Sequence, residues 1–272
     1  MRYLLSFLLI FATTLSSGQN ILFLDSISLK PIHNLRVYHD NRVHYSDELG
    51  YVTIDNFYGE NAYAIHPGYQ SKEFSLKDTV LLEPTNFILP ELEISAKAKP
   101  RILINKRNRH WRLSSIGISN GSIHGVSLDL EQRLVVKGVS IYFKKSLQER
   151  IYCRLVIFNT ADTLSPKPTP VFGASSFDTI VKGTKKYKLN IAEYPLNNSP
   201  DTNYLVAVEF KLDESLWGES LPSLEWWETS KVNYYYFTKN HTLVRDRFHF
   251  SKLAPEMPLT TIGIEVFASK LD

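Results

Sequence analysis

Residues 134–143 read LVVKGVSIYF, and this run of β-branched and aromatic residues decides the fold class of the second half of the chain. Val, Ile, Tyr and Phe are the residues that strands favour. No segment shows a sustained helical periodicity, whereas similar strand-like runs occur at residues 152–158, 187–191, 204–212, 231–237, 247–250 and 262–267. The pattern predicts a jelly-roll-like β-sandwich of seven to nine strands over residues 113–272.

The first half of the chain has shorter runs of the same kind. They lie at residues 21–25, 35–39, 51–55, 62–66, 73–76, 80–82 and 92–96. Turn-forming residues separate them, as Asp47 and Gly50 do before the third run. Spacings of roughly eight to twelve residues are typical of an antiparallel sandwich, and we expect seven strands over residues 19–97.

The N-terminus resembles a secretory signal peptide. Arg2 supplies an early positive charge before the apolar run LLSFLLIFA at residues 4–12, and Ser16 and Gly18 suit the small-residue positions of a cleavage site. A retained membrane anchor is the alternative, but spanning a bilayer takes about 20 apolar residues. We therefore expect residues 1–18 to be removed and the protein to be exported, with no transmembrane span in the mature chain.

The order of four motifs in residues 20–97 carries a resemblance to a known family. These are PIHNLRV at 31–37 after Asp25, SDELGYVTI at 46–54, PGY at 67–69 and LPELEISA at 89–96. The segment resembles the carboxypeptidase-regulatory-like domain, whose family fold is a transthyretin-like sandwich without a zinc site. The resemblance implies an exported protein of the Gram-negative periplasm, outer membrane or cell surface, and it implies no peptidase activity. Lys30, where the family usually has a glycine, and the longer turn at 48–50 depart from the pattern.

The fold class expected for the whole chain is all-β, with an N-terminal seven-stranded transthyretin/Ig-like sandwich followed by a larger jelly-roll-like sandwich. Residues 154–158, 188–194 and 204–210 resemble β-sandwich modules of exported bacterial proteins, a likeness that implies no named activity. Residues 98–112, with Pro100 and many Lys and Arg residues, are interpreted as a basic linker. The alternative is a contact with anionic lipid or polysaccharide.

The sequence contains weak candidates for catalysis. Residues 117–121 read GISNG and match G-x-S-x-G, but Ser119 would need a strand before it and a helix after it, and residues 111–116 make a poor strand. Cys153, the one cysteine, excludes a disulfide framework and is expected to be buried. Glu209 and Glu225 could be imagined as a glycosidase pair, although nothing selects them. We therefore assign no catalytic residue.

Metal and ligand sites are equally weakly indicated. The eight histidines form no metal-binding motif; His39 and His44 could share a weak site only if a turn at Asn41 brings them to one face. Trp226 and Trp227 belong to an aromatic cluster that either fills the core or forms a binding surface. No metal, cofactor or ligand-binding residue is assigned.

The formal charge of +3 makes no case for nucleic acid as a partner. The function expected from the sequence is a non-enzymatic envelope protein that acts as a binding or structural adaptor, with carbohydrate or another envelope protein as its partner. The alternatives are a hydrolase of glycans or peptides that uses the C-terminal sandwich, and an accessory subunit of an outer-membrane assembly.

Overall fold

The computed structural model describes residues 18–40, 42–55, 61–75, 78–85, 101–104, 112–128, 134–159, 170–196, 204–213, 222–228, 234–237, 243–245 and 260–270. Strands are its regular elements, which confirms the all-β prediction. The chain forms two compact units, Met1–Thr85 and Asn86–Asp272. Within the described ranges, no helix is long and apolar enough to cross a bilayer. The predicted signal peptide apart from Gly18, and the predicted strand at 92–96, lie outside the described residues.

The first unit is a sandwich of seven described strands, as predicted. They are β1 (Gln19–Asp25), β2 (Arg36–His39), β3 (Arg42–Tyr45), β4 (Tyr51–Ile54), β5 (Ala62–His66), β6 (Tyr69–Phe74) and β7 (Thr79–Leu82). One sheet has the order β4-β1-β7 and the other β3-β2-β5-β6. β1 is antiparallel to β4 and parallel to β7. The two sheets enclose a core that includes Ile21, Phe23, Val37, Val52, Ala64 and Val80.

Strand β3 is one that the sequence did not predict. It forms a hairpin with β2, and Asp40 in the intervening turn has a φ of 51°, in the left-handed region that Asp tolerates better than most residues. Short polar strands such as RVHY carry too few β-branched residues to stand out from a loop. The seven described strands therefore include β3, whereas the predicted strand at 92–96 lies outside the described residues.

The second unit contains fourteen strands in its described part, more than the seven to nine expected. They are β8 (Arg101–Ile104), β9 (Arg112–Gly117), β10 (Ile123–Leu128), β11 (Leu134–Tyr142), β12 (Ile151–Asn159), β13 (Pro170–Gly173), β14 (Asp178–Ile180), β15 (Lys186–Leu196), β16 (Tyr204–Leu212), β17 (Ser223–Glu228), β18 (Tyr234–Phe237), β19 (Leu243–Arg245), β20 (Thr260–Ile262) and β21 (Ile264–Lys270). The sheets have the orders β13-β12-β16-β10-β18-β19, with β14 also on β12, then β15-β11-β21-β8, and β20-β17-β9.

One hydrophobic core joins the two larger sheets of this unit. Ile141 and Val266 come from the four-stranded sheet, and Leu155 and Phe210 come from the seven-stranded sheet. The opposite face of the seven-stranded sheet is also buried, with a cluster of Ile123, Val156, Phe158, Leu205 and Ala207. Burial on both faces explains why β12 and β16 read as continuous apolar runs rather than as an alternating pattern.

Part of the segment interpreted as a basic linker is a strand. The units divide after Thr85, and residues 101–104, in the predicted linker 98–112, form β8, which pairs with β21. Ile102, Leu103 and Ile104 have the high strand propensity that favours this pairing, in spite of the basic residues around them.

Candidate ligand-binding face

The G-x-S-x-G segment is a turn between two strands, so it lacks the geometry of a nucleophile elbow. Ser119 is exposed, and its backbone N–H donates to Ser122 Oγ at 3.2 Å, while Ser122 N–H donates to the Ser119 carbonyl at 3.0 Å. β9 precedes this turn, although the sequence made it a poor strand, and strand β10 follows it where a hydrolase needs a helix.

Two other catalytic candidates have structural positions. Cys153 is fully buried in the main core, and burial raises the pKa of its thiol far above the ordinary range, so this thiol is no accessible nucleophile. Glu209 is buried on β16, where it accepts a hydrogen bond from Arg154 Nε at 2.7 Å. Glu225 lies on β17 in a different sheet, paired with Ser115, so the two glutamates are not neighbours in one sheet.

The histidines are scattered. The β2–β3 hairpin does turn between His39 and His44, because His39 pairs with Arg42 and His44 with Val37. His39 and His44 therefore lie on one face of the hairpin at diagonal positions, whose backbone separation in a sheet is about 7–8 Å. In the described ranges, no group of three or more His, Cys, Asp or Glu side chains could hold a metal ion. His241 and His249 lie outside those ranges.

The tryptophan pair lies on a strand that the sequence did not predict. Trp226 and Trp227 belong to β17, and the register with β9 shifts between them. The neighbouring run Tyr234–Phe237 is β18 of the seven-stranded sheet. The aromatic cluster of the sequence is thus divided between two sheets.

The outer face of the four-stranded sheet combines two ammonium groups with two aromatic rings and a carboxylate. We call it the lysine face and define it by Tyr142, Lys186, Lys188, Glu265 and Phe267. The Lys186 ammonium lies 4.8 Å from the centre of the Tyr142 ring, and the Lys188 ammonium lies 4.9 Å from the centre of the Phe267 ring. The Tyr142 hydroxyl donates to Glu265 Oε2 at 2.5 Å.

The strand register explains this arrangement. Lys186 and Lys188 alternate along β15 and so project from the same side of the sheet. Lys186 is opposite Tyr142, and Lys188 is opposite Ser140, whose other neighbour is Glu265. Lys188 reaches Phe267 diagonally across β11, where Ser140 and Gly138 are small enough to leave room for its stem.

Burial differs sharply between the cations and the rings beneath them. Both lysines are exposed, whereas Tyr142, Glu265 and Phe267 are 6%, 7% and 3% exposed. Burial and the hydrogen bond to Glu265 raise the pKa of Tyr142, while the Lys186 ammonium acts in the opposite direction. The phenol therefore stays protonated at neutral pH as a donor, and the cation–π contacts favour these positions of the two ammonium groups at the surface.

Sequence reasoning missed this face. The signal was the alternation KYKL at residues 186–189, but exposed lysines on alternate strand positions also occur on any solvated sheet face. The partners Tyr142 and Glu265 are far from these lysines and from each other in the sequence, so the pairing required the sheet register.

Comparison with known proteins gives weak structural matches. No protein-family model and no curated protein matches the chain. One matched structure is an alanine variant of the clostridial cysteine protease Cwp84 after propeptide cleavage, with TM-score 0.41 and 13% identity over 63% of this chain and 40% of that one. Another contains the cysteine protease and lectin-like domains of Cwp84, a surface layer associated protein of Clostridium difficile, with TM-score 0.40 and 11% identity over 84% and 42%. The chain spans less than half the length of either protein.

These matches correct one sequence-based prediction. The chain was expected to be a non-enzymatic binding or structural adaptor; the matched proteins are described as a cysteine protease, so the non-enzymatic part of that prediction is contradicted and is not retained. At these TM-scores the likeness assigns no protease activity to this chain.

Proposed function

We propose that the second unit binds an acidic glycan on its lysine face. The observation that carries the proposal is the pair of exposed ammonium groups of Lys186 and Lys188, each fixed over a buried ring. An ammonium group that is already held in position loses little side-chain entropy on binding. Each charge-assisted hydrogen bond to a carboxylate or sulfate of the ligand therefore contributes more to the binding free energy than a bond from a mobile lysine would.

Further lysines extend the positive charge beyond this face. Lys144 and Lys145 follow β11, Lys185 precedes β15, and all three are exposed. A hydrogen bond of 2.9 Å from Phe143 N–H to the Lys185 carbonyl holds the two segments side by side. Five exposed lysines in neighbouring segments favour a ligand with several negative charges, such as an extended acidic polymer.

The proposal includes the setting of the protein. The signal-like residues 4–12 favour export, and the motif order in residues 20–97 favours a carboxypeptidase-regulatory-like first unit in a Gram-negative envelope protein. An exported protein meets acidic polysaccharides outside the cytoplasm, which agrees with the ligand class.

Affinity electrophoresis and calorimetry with polygalacturonate, and with neutral dextran as comparison, test the proposal. We expect binding to polygalacturonate that weakens as salt rises, because exposed charges are screened. Replacing both lysines, Lys186→Gln with Lys188→Gln, should lower the affinity at least tenfold, on the basis of about 1.5 kcal/mol or more for each charged hydrogen bond.

The control is the pair Lys30→Gln and Lys72→Gln, which removes the same charge from exposed positions of the first unit. It should leave the affinity within about twofold, given the weak effect of distant screened charges. Equal binding to dextran, or unchanged binding by the Lys186/Lys188 variant, would refute the proposal.

A further inference from the structure

The outer face of sheet β4-β1-β7 in the first unit is apolar. Leu22 is opposite Tyr51, and Leu24 is opposite Leu81. The hydrogen bond from Phe23 N–H to the Gly50 carbonyl places the turn that holds the exposed Leu49 at the end of this face, where Leu24 has Pro31 as its bridge partner. These five residues form one patch, which we call the apolar face.

The patch is open to solvent. Leu49, Tyr51 and Leu81 are 65%, 43% and 41% exposed, and Leu22 and Leu24 are half-buried. The hydrophobic core of this unit lies on the other side of the same strands, so these leucines are not part of it. The solvent side of a sheet with one buried face is normally polar, and a contiguous apolar patch on it is typical of an interaction surface.

Charges around the patch restrict what can cover it. The exposed carboxylates in the described turns and strand ends beside it are those of Asp47, Glu48, Asp55, Asp78 and Glu83. The exposed cations there are Lys30 and Lys72, and the Lys72 ammonium donates to the Leu81 carbonyl at 2.9 Å. A second copy would oppose this acidic rim with its own carboxylates, and an anionic membrane would be repelled in the same way.

We propose that the apolar face is a docking surface for a protein partner whose own apolar patch carries a basic rim. The apolar centre supplies affinity, and charge complementarity at the rim selects the partner. This surface lies in the first unit and does not depend on glycan binding by the second.

Two synthetic β-hairpin peptides with identical Leu/Val faces, one with a lysine rim and one with a glutamate rim, serve as probes in fluorescence anisotropy with the full chain. We expect the lysine-rimmed peptide to bind at least tenfold more tightly. The double substitution Leu49→Ser and Leu81→Ser should lower that affinity at least tenfold, whereas Val181→Ser, at a 63% exposed valine of the second unit, should not change it.

Thermal melts of all variants establish that exposed substitutions leave the fold intact, and Tyr51→Thr provides a second variant of the same face. Four results would each overturn the proposal: equal or tighter binding of the glutamate-rimmed peptide, binding of neither peptide, Leu81-dependent binding to anionic lipid vesicles, or Leu81-dependent self-association in sedimentation experiments.

Discussion

Replacing Arg154 by methionine should destabilise the second unit by about 3–5 kcal/mol, the cost of leaving one charge of a buried pair uncompensated. Arg154 and Glu209 are directly opposite each other on β12 and β16 and are 1% and 2% exposed. The Phe177 ring covers the guanidinium, with its centre 4.5 Å from Cζ. In the Arg154→Met variant the buried Glu209 loses its directly opposed cation and keeps the half-buried Lys211 ammonium as a nearby positive charge, so its ionised form is less favourable in the folded state.

A second substitution distinguishes this mechanism from simple loss of packing. Adding Glu209→Leu to Arg154→Met removes the unpaired carboxylate. It also replaces both charged side chains by apolar ones on the sheet face that carries Val156 and Ala207. The double variant should recover most of the loss, with a coupling energy of about 2–3 kcal/mol in the double-mutant cycle.

Urea unfolding followed by tryptophan fluorescence measures these differences. The control is Arg150→Met, because Arg150 and Asp213 form an exposed pair at 3.6 Å with side chains 58% and 45% accessible. Its loss should cost less than about 1 kcal/mol. If Arg154→Met costs no more than Arg150→Met, or if the double variant is as unstable as the two single losses added, the assignment of a buried charge pair is refuted.

Three other predictions concern single residues. Gly138→Ala should lower stability by about 2–4 kcal/mol in the same assay, since φ is 149° and a Cβ would lie 2.2 Å from the Leu189 carbonyl oxygen. His124 is fully buried, and desolvation lowers its pKa to about 4. As pH falls from 6.5 to 4 the unfolded chain binds a proton at this residue before the folded chain does, so the free energy of unfolding should fall by roughly 3 kcal/mol. The variant His124→Leu should lose this part of the pH dependence of stability. Cys153 should react with a thiol reagent only as fast as the unit opens, and prompt labelling of native protein would contradict its burial.

The fold was predictable where strands are long and β-branched. β11 and β16 were located almost to the residue, because runs such as 204–212 have no plausible helical face. The sequence missed β3 in the first unit and shorter strands such as β9, β10, β13, β14 and β17 in the second, and it did not separate the strands of the second unit into three sheets. Sheet assignment depends on pairings such as β8 with β21, between residues far apart in the chain, and a local pattern carries no information about them.

The candidate site was beyond sequence reasoning for a related reason. Aromatic residues at 226 and 227 attracted attention because they are adjacent, whereas Lys188 and Phe267 meet only through the register of β15, β11 and β21. On the lysine face, the Lys188 side chain of β15 extends over two small residues of β11 to contact the Phe267 ring of β21. Single-strand patterns do not record that relation.

The position of β1 governs how the first unit assembles. β1 is made first, yet it sits in the middle of its sheet, with β4 on one side and β7, the last strand of the unit, on the other. A chain emerging from the ribosome must therefore keep Ile21 and Phe23 without their final neighbours until β7 has been synthesised. β4 can pair with β1 earlier, but closing the long loop between β1 and β7 is slow. The early strand is thus the segment that most needs protection from aggregation during synthesis.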